Sequence, residues 1–226
     1  MLFRSKADLA DPNETKYWES VLKEKFDSLL ILNLTDPKST KILSQEVAKL
    51  GEEKHQKEKA KGMKPQPIKA MIIGVPNVGK SSLINRLANR RAAGVQNKPG
   101  YTRGEQFIKV NNDFILLDTP GVLPMNYDDK QVATNLALIG SIREDILPND
   151  ALVKSLLYIL RKKYPDSLRE RYNIETIGND EEVLRQVATR RGLLTAGELD
   201  ISKAEITLLK DFKDGKLGRI SLDEHL

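Results

Sequence analysis

Residues 68–82 read IKAMIIGVPNVGKSS, and this stretch decides the fold of the 226-residue chain. An apolar run that predicts a buried strand leads into a turn with the pattern G-x-x-x-x-G-K-S, and a helix pattern follows. Gly74 and Gly79 allow the backbone to wrap closely around a phosphate, with its N–H groups directed inward. A chance glycine turn is the alternative, but the strand–loop–helix context favours a nucleotide-binding loop.

The residue types in this loop predict distinct roles. Lys80 is expected to contact the terminal phosphates and to count among the catalytic residues, and the Ser81 hydroxyl is expected to ligate Mg²⁺. The helix that follows adds its positive end to the phosphate site. The predicted nucleotide-binding residues of the loop are Gly74, Asn77, Val78, Gly79, Lys80, Ser81 and Ser82.

A second motif, residues 118–121 (DTPG), ends another predicted strand and begins 38 residues after Lys80. Asp118 in this position can hold the magnesium shell, and the N–H of Gly121 can sense the terminal phosphate. An ordinary turn is the alternative for such a sequence. The spacing from the phosphate loop favours the magnesium role.

The stretch between the two motifs contains residues 97–106, NKPGYTRGEQ, with Thr102 as its only threonine. A loop threonine that joins the magnesium only when a γ-phosphate is present acts as a switch. A solvated threonine is the alternative. We expect Thr102 to be a metal ligand and a catalytic residue.

A base-reading motif stands at the start of the chain, where residues 5–8 (SKAD) resemble N-K-x-D with Ser5 in the place of asparagine. Asp8 can accept hydrogen bonds from the N1–H and the exocyclic amine of guanine, which adenine cannot supply. Lys6 can lie across the base plane. The downstream copy, residues 202–205 (SKAE), has no apolar strand before it, so the upstream copy is the better candidate.

The composition excludes several classes of site. The chain has no cysteine and only two histidines, so disulfides, thiolate metal sites and a histidine zinc site are not expected. No apolar run is long enough to cross a membrane or to form a signal peptide, and we expect a cytoplasmic protein without a membrane partner. The net charge of +5 permits contact with nucleic acid without requiring it.

Strand and helix patterns alternate in the first part of the chain, and the second part reads as helical. We expect an α/β domain over residues 1–140 and a helical RNA-binding or ribosome-binding domain over residues 141–226. The predicted strands are 1–3, 28–32, 68–73, 107–110 and 114–117, the last two forming a hairpin. The predicted helices are 14–26 with Asn13 as N-cap, 38–61 starting at Ser39 and Thr40, 82–89, 130–140, 149–163, 180–191 and 202–213.

The order of these motifs resembles that of the circularly permuted GTPases, and in detail the bacterial ribosome biogenesis GTPase A family. The stretches that carry the resemblance are SKADLADP, MKPQPIKAMIIGVPNVGKSSLINRLANR, NKPGYTRGEQ, LLDTPGVL and DFKDGKLGRISL. The resemblance implies a circularly permuted P-loop GTPase domain, a parallel sheet flanked by helices, followed by a small all-α domain. It implies GTP/GDP and Mg²⁺ as cofactors. It also implies a role in late assembly of the large (50S) ribosomal subunit, with nucleotide-dependent binding to that subunit and a helical domain that contacts its rRNA. We expect a monomer that does not bind DNA.

Three departures from the family pattern bear on these expectations. Ser5 has one hydroxyl where an asparagine amide would brace the phosphate loop, which is expected to cost about 0.5–1.5 kcal/mol of guanine affinity. Residues 33–35 match the second base-side loop only approximately. The family also has a further strand and helix before the base motif, so we expect a truncated domain that lacks an interior strand, exposes unpaired backbone groups and has reduced stability.

Catalysis is expected to depend on partners. Val122 stands where many GTPases carry a water-positioning glutamine, and an apolar side chain cannot orient water. Asn77 matches GTPases that place a potassium ion near the phosphates, and a simple turn-forming role is the alternative. Hydrolysis is therefore expected to be weak without the ribosome. A hydrolysis-deficient RNA-binding or ribosome-binding fragment with a vestigial G domain, and an ATPase with a relaxed base site, are the alternative functions.

The helical part of the chain is rich in cations that suit phosphate contacts with RNA, although a solvated surface is the alternative. Few aromatic residues lie among these cations, so base stacking is not the expected mode. The residues are Arg161, Lys162, Lys163, Arg169, Arg171, Arg190, Arg191, Lys210, Lys213, Lys216 and Arg219.

Overall fold

A computed structural model describes residues 1–88, 106–110, 114–123, 129–142, 147–175 and 178–223. The first part of the chain alternates strand and helix: β1 (Leu2–Arg4), α1 (Pro12–Lys23), β2 (Leu29–Ile31), α2 (Pro37–Ala60), β3 (Ile68–Ile72), α3 (Lys80–Leu87), β4 (Gln106–Lys109) and β5 (Phe114–Asp118). The second part contains α4 (Lys130–Leu138), α5 (Asn149–Lys163), α6 (Ser167–Tyr172), α7 (Asp180–Arg191), β6 (Leu194–Thr195), β7 (Glu198–Leu199) and α8 (Ile201–Lys213).

Parallel pairing dominates the first part. β1 pairs with β2 in parallel, and β3 pairs with β5 in parallel. β4 and β5 form the predicted antiparallel hairpin, in which Phe107 lies opposite Leu117. Among the described residues, the strands β1 to β5 form two separate sheets, β1-β2 and β3-β5-β4, rather than one continuous sheet.

Among the residues that the structure describes, the sheet β3-β5-β4 is covered by helices on one face. Ile84 of α3 packs with Ile108, Phe114 and Leu116 in a buried cluster, and Val47 of α2 packs against it. The opposite face carries Met71 of β3 and Phe107 of β4, which are 57% and 69% exposed. Since parallel strands are normally covered on both faces, this exposed face departs from the usual α/β arrangement.

The chain forms two compact units, the first comprising residues 1–8 and 16–125 and the second residues 9–15 and 126–226. Because residues 9–15 belong to the second unit, the first turn of α1 lies in that helical unit. The predicted functional boundary between residues 140 and 141 stays a prediction. At the start of α1, Tyr164 donates from its hydroxyl to a carboxylate oxygen of Asp11, 3.1 Å away, and Lys163 forms an ion pair with Glu14.

Leucine-rich helices build the core of the second unit. Leu156, Leu160, Leu168 and Leu208 are fully buried, and Gly192 ends α7 in a left-handed conformation. A short hairpin, β6-β7, lies between α7 and α8, so the prediction of helices alone after Gly121 was wrong at this point. No helix in the described segments of the chain is long and apolar enough to span a membrane.

Two predicted helix starts are corrected by the structure. Asp11, and not Asn13, caps α1, because its carboxylate accepts the backbone N–H groups of Asn13 and Glu14. Asp36 caps α2 by accepting the N–H of Lys38, two residues before the predicted start. In both cases the capping aspartate precedes a proline at the first helical position. Aspartate is favoured at the N-cap of helices, and proline is favoured at the position that follows.

Candidate functional site

The phosphate loop connects β3 to α3. Two of its residues have positive φ angles, Asn77 at 60° and Gly79 at 104°. Asparagine tolerates this left-handed region better than most residues, and glycine adopts it without strain. Gly79 is the N-cap of α3, and its carbonyl accepts the N–H of Leu83 at 2.9 Å. The predicted residues Lys80, Ser81 and Ser82 therefore form the first turn of α3, where backbone N–H groups have no helical partner.

Lys80 folds back over the loop. Its Nζ donates to the carbonyls of Gly74 and Val75, each 2.9 Å away. Burial lowers the pKa of Lys80, and the negative charge of Asp118 acts in the opposite direction. The half-buried ammonium thus faces the inside of the loop, where anionic phosphate oxygens would be stronger acceptors than the two carbonyls.

The DTPG segment is bonded to this loop. The Thr119 hydroxyl donates to the carbonyl of Ile72 at 2.7 Å, and the N–H of Val122 donates to the carbonyl of Gly74 at 3.1 Å. Gly121 lies so close to Pro76 that an added Cβ would be 2.6 Å from the proline ring. The DTPG segment and the phosphate loop, which are far apart in sequence, are therefore held together by hydrogen bonds and close packing.

The residues present fit a magnesium ion. Asp118 is completely buried at the end of β5, beside the loop, and Ser81 begins the adjoining helix. Magnesium prefers oxygen ligands and usually takes one or two from the protein together with substrate phosphates and water. No cluster of three or more His, Cys, Asp or Glu side chains is found among the residues that the structure describes. Thr102, the third predicted metal ligand, lies outside the described residues.

The base-reading motif contacts the phosphate loop through Ser5, whose hydroxyl donates to the carbonyl of Val78. A Cβ built on Gly79 would be 3.6 Å from the Ser5 hydroxyl oxygen, so the two segments are in close contact. Lys6 has a φ of 56°, and both Lys6 and Asp8 are exposed. The motif is therefore next to the phosphate loop, with its carboxylate accessible to a ligand.

Leu34 is a neighbour of the site that is not among the predicted site residues, although residues 33–35 match the second base-side loop approximately. The Asn33 side chain accepts the N–H of Thr35 at 2.8 Å, which forms a tight turn after β2. In this turn a Leu34 methyl lies 3.8 Å from the position of a Cβ on Gly79. The signal for this loop is its place after a parallel strand, because the carboxyl ends of such strands meet at one edge where ligands bind.

The fold and this site define a P-loop GTPase. A sequence model of the family described as 50S ribosome-binding GTPase matches residues 69–186. Ribosome biogenesis GTPase A of Bacillus cereus is 37% identical over 221 residues, which are 97% of this chain and 75% of that protein. Ribosome biogenesis GTPase A of Thermotoga maritima is 26% identical over 224 residues, which are 99% of this chain and 75% of that protein. The chain belongs to the ribosome biogenesis GTPase A family.

A solved structure agrees with this assignment. The chain is similar to GNP-bound YlqF from T. maritima with a TM-score of 0.64 and 25% identity, covering 99% of this chain and 80% of that one. A GDP-bound structure of the same protein gives a TM-score of 0.62 at the same identity, covering 98% of this chain and 81% of that one. This chain is thus a GTP-binding and GTP-hydrolysing protein of ribosome assembly.

Proposed function

We propose that the chain acts in late assembly of the 50S ribosomal subunit, binding the subunit in its GTP state and leaving after hydrolysis. The observation that carries the proposal is the direct bonding of the DTPG segment to the phosphate loop through Thr119 and Val122. A change at the terminal phosphate can therefore shift the segment that follows β5. Such order–disorder coupling is how GTPases report the γ-phosphate.

Residues of the first unit have distinct proposed roles in binding the nucleotide and its metal ion. Backbone N–H groups of residues 74–82 bind the phosphates, and Lys80 exchanges its two carbonyl acceptors for phosphate oxygens. Ser81, Asp118 and Thr102 would hold Mg²⁺, which when bound neutralises charge on the phosphate oxygens. Asp8 reads guanine, and Lys6 covers the base.

Stimulation of hydrolysis must come from outside this set of residues. Val122 is apolar and 58% exposed, so it cannot orient the attacking water. Asn77 holds the turn of the phosphate loop with its positive φ, and its proposed second role is to hold a potassium ion near the phosphates. The proposed activator is the large subunit, approached by a monomer whose helical unit contacts rRNA.

The test is co-sedimentation of the purified chain with isolated 50S and 30S subunits in GTP, a non-hydrolysable GTP analogue, GDP or no nucleotide. We expect binding to 50S particles alone, strongest with the analogue. Lys80→Ala should remove the nucleotide dependence, and Lys69→Ala, an exposed lysine on β3, is the matched control. Equal binding in all four nucleotide conditions would overturn the proposed switch.

Base specificity has its own test. Fluorescent GDP is titrated into the chain in potassium and in sodium, with GDP and ADP as competitors. We expect displacement by GDP and not by ADP, and tighter binding in potassium. In the Asp8→Ala variant the preference for GDP over ADP should disappear. Retained preference in that variant would show that Asp8 does not read the base.

A further inference from the structure

Helix α5 has two contrasting faces. Leu152, Leu156 and Leu160 are at most 1% exposed and anchor the helix in the core of its unit. The opposite side presents Lys154, Tyr158 and Lys162, each four residues from the next and each exposed. Residues at this spacing are neighbours on a helix surface, so the three side chains form one stripe. We refer to it as the Lys154–Tyr158–Lys162 stripe.

Tyr158 is unlike the two tyrosines that follow it. Tyr164 and Tyr172 bond through their hydroxyls to Asp11 and Asp211 and support the fold. Tyr158 is 60% exposed, and its hydroxyl makes no hydrogen bond in the part of the chain that the structure describes. Its ring is contacted by the Lys162 ammonium, 5.8 Å from the ring centroid. The fold therefore does not account for this aromatic ring.

Many of the cations of this unit are already engaged. Asp211 alone, 2% exposed, accepts from Arg171, Arg191 and Lys216. Further ion pairs among the described residues of the unit join Arg161 to Asp180, Lys163 to Glu14, Arg169 to Asp166 and Glu175, Arg185 to Glu181, Lys203 to Asp200 and Lys216 to Asp214. Lys154 has no carboxylate partner among the described residues, so its charge is available to a ligand.

We infer that Tyr158 is a stacking platform for an unpaired RNA base, with Lys154 and Lys162 contacting the adjacent phosphates. An exposed ring between cations is the arrangement by which proteins bind single-stranded nucleic acid without reading its sequence, so at this position we depart from the sequence-based expectation that base stacking is not used. RNA is also favoured over a protein partner because lysine is depleted at protein interfaces. The inference rests on the proposed function, since it names the kind of RNA feature that the helical unit would contact.

The experiment measures binding of the full chain to a dye-labelled, unstructured 12-nucleotide RNA and to a blunt RNA duplex of the same length, by fluorescence anisotropy. Tyr158→Ala should weaken single-strand binding about five- to a hundred-fold, the range for loss of one stacked base. Tyr158→Phe should stay within about two-fold of the parent because the ring is kept. Binding of the duplex, whose bases are not accessible, should be the same in all variants.

Tyr158→Trp provides a fluorescence signal that responds to RNA only if the side chain at this position contacts the RNA. Its indole should retain binding, and its fluorescence should be quenched when RNA is added to the variant but not to the parent chain, whose single tryptophan is Trp18. Ile206→Ala, which removes a side chain 54% exposed on α8, is the matched control for loss of exposed apolar area. It should bind RNA as the parent does.

Co-sedimentation with 50S subunits separates this inference from the proposed function. Parent binding to 50S together with unchanged RNA affinity in Tyr158→Ala would overturn the stacking platform and leave the proposed function intact. Loss of 50S binding in Tyr158→Ala without loss of RNA binding would assign the stripe to a protein contact instead. A parent chain that binds neither RNA nor 50S particles would overturn both.

Discussion

Ser5 uses its only hydroxyl proton on the carbonyl of Val78. An asparagine in this position could brace the phosphate loop and still offer a second N–H to the base, because its amide carries two protons. Ser5 can do only the first of these. In the proposed function, recognition of guanine therefore falls to Asp8, while Ser5 keeps the segment of residues 5–8 in contact with the loop.

Loss of the Ser5 hydroxyl should weaken nucleotide binding moderately. Ser5→Ala leaves the Val78 carbonyl without this donor, and we expect GDP affinity to fall about two- to ten-fold, which corresponds to one ordinary hydrogen bond. Calorimetric titration with GDP measures the change. Ser202→Ala, an exposed serine in α8, should bind GDP as the parent does. Unchanged affinity in Ser5→Ala would mean that the contact has no role in nucleotide binding.

Much of the site could be predicted from sequence because its motifs are local. The phosphate loop, the DTPG segment and the base-reading motif each consist of consecutive residues whose types reveal their chemistry. Residues 33–35 matched the second base-side loop approximately, but Leu34 itself was not predicted as a site residue, because a leucine in a turn carries no chemical signal of its own. Its place beside Gly79 follows only from the packing of β2 against the rest of the unit.

At the scale of elements, the contact of Gly121 with Pro76 links the two phosphate motifs. A Cβ on Gly121 would lie 2.6–2.8 Å from ring and backbone atoms of Pro76, and a proline cannot move aside as a flexible side chain can. Gly121→Ala should therefore separate the DTPG segment from the loop. We expect a loss of about 1–3 kcal/mol in the free energy of unfolding, typical of overpacking, and weaker GTP binding.

Urea denaturation of Gly121→Ala, with and without GTP, measures both effects. Val122→Ala is the control, because that side chain is 58% exposed and its truncation should change stability by no more than about 0.5 kcal/mol. Parent-like stability of Gly121→Ala would show that the segment can shift without cost.

The cap of α1 makes a pH-dependent contribution. Partial burial opposes ionisation of Asp11, but the N–H groups of Asn13 and Glu14 and the Tyr164 hydroxyl together lower its pKa below the ordinary value of 3.8. Burial, followed by the effect of Asp11, raises the pKa of Tyr164 to about 12. A lowered carboxyl pKa stabilises the fold at neutral pH, and this contribution is lost as pH falls through the lowered value.

Asp11→Ala should reduce the free energy of unfolding by about 1–2 kcal/mol at pH 7, the usual effect of losing an N-cap side chain. Asp11→Asn retains a capping oxygen, so its deficit in the free energy of unfolding should be smaller than that of Asp11→Ala and should shrink as the pH falls through the lowered pKa of the parent carboxyl. Thermal unfolding at pH 7, 5 and 3 measures both. Asn13→Ala, the cap that the sequence suggested, is the control and should leave the cap intact.

Elements were predicted closely where the pattern is local and missed where it is not. The strands and most helices agree with the sequence patterns to within a few residues, since apolar spacing determines them. Helix α6 and the β6-β7 hairpin are too short to produce a periodic signal. The division of β1 to β5 into two sheets depends on pairing between distant segments, which the spacing of residues along the chain does not reveal.

At the scale of the whole molecule, the chain has two compact units with separate cores. The nucleotide site belongs to the first. In the second, burial opposes ionisation of Asp211, but Arg171, Lys216 and Tyr172 together lower its pKa. The two units thus depend on different interactions, and a ligand or a substitution that affects one should leave the other unchanged.

Differential scanning calorimetry tests this independence. We expect two unfolding transitions, and GDP with Mg²⁺ at a hundred times the dissociation constant should stabilise only the first unit, by about 2.7 kcal/mol. Asp211→Asn should reduce the free energy of unfolding of the second unit alone, by about 3 kcal/mol. This value is at the low end of the range for breaking a buried charge network, because the arginines that contact Asp211 can reach water. Asp214→Asn, which affects an exposed ion pair with Lys216, is the control and should cost less than about 1 kcal/mol. A single transition moved equally by nucleotide and by Asp211→Asn would show that the two units unfold as one.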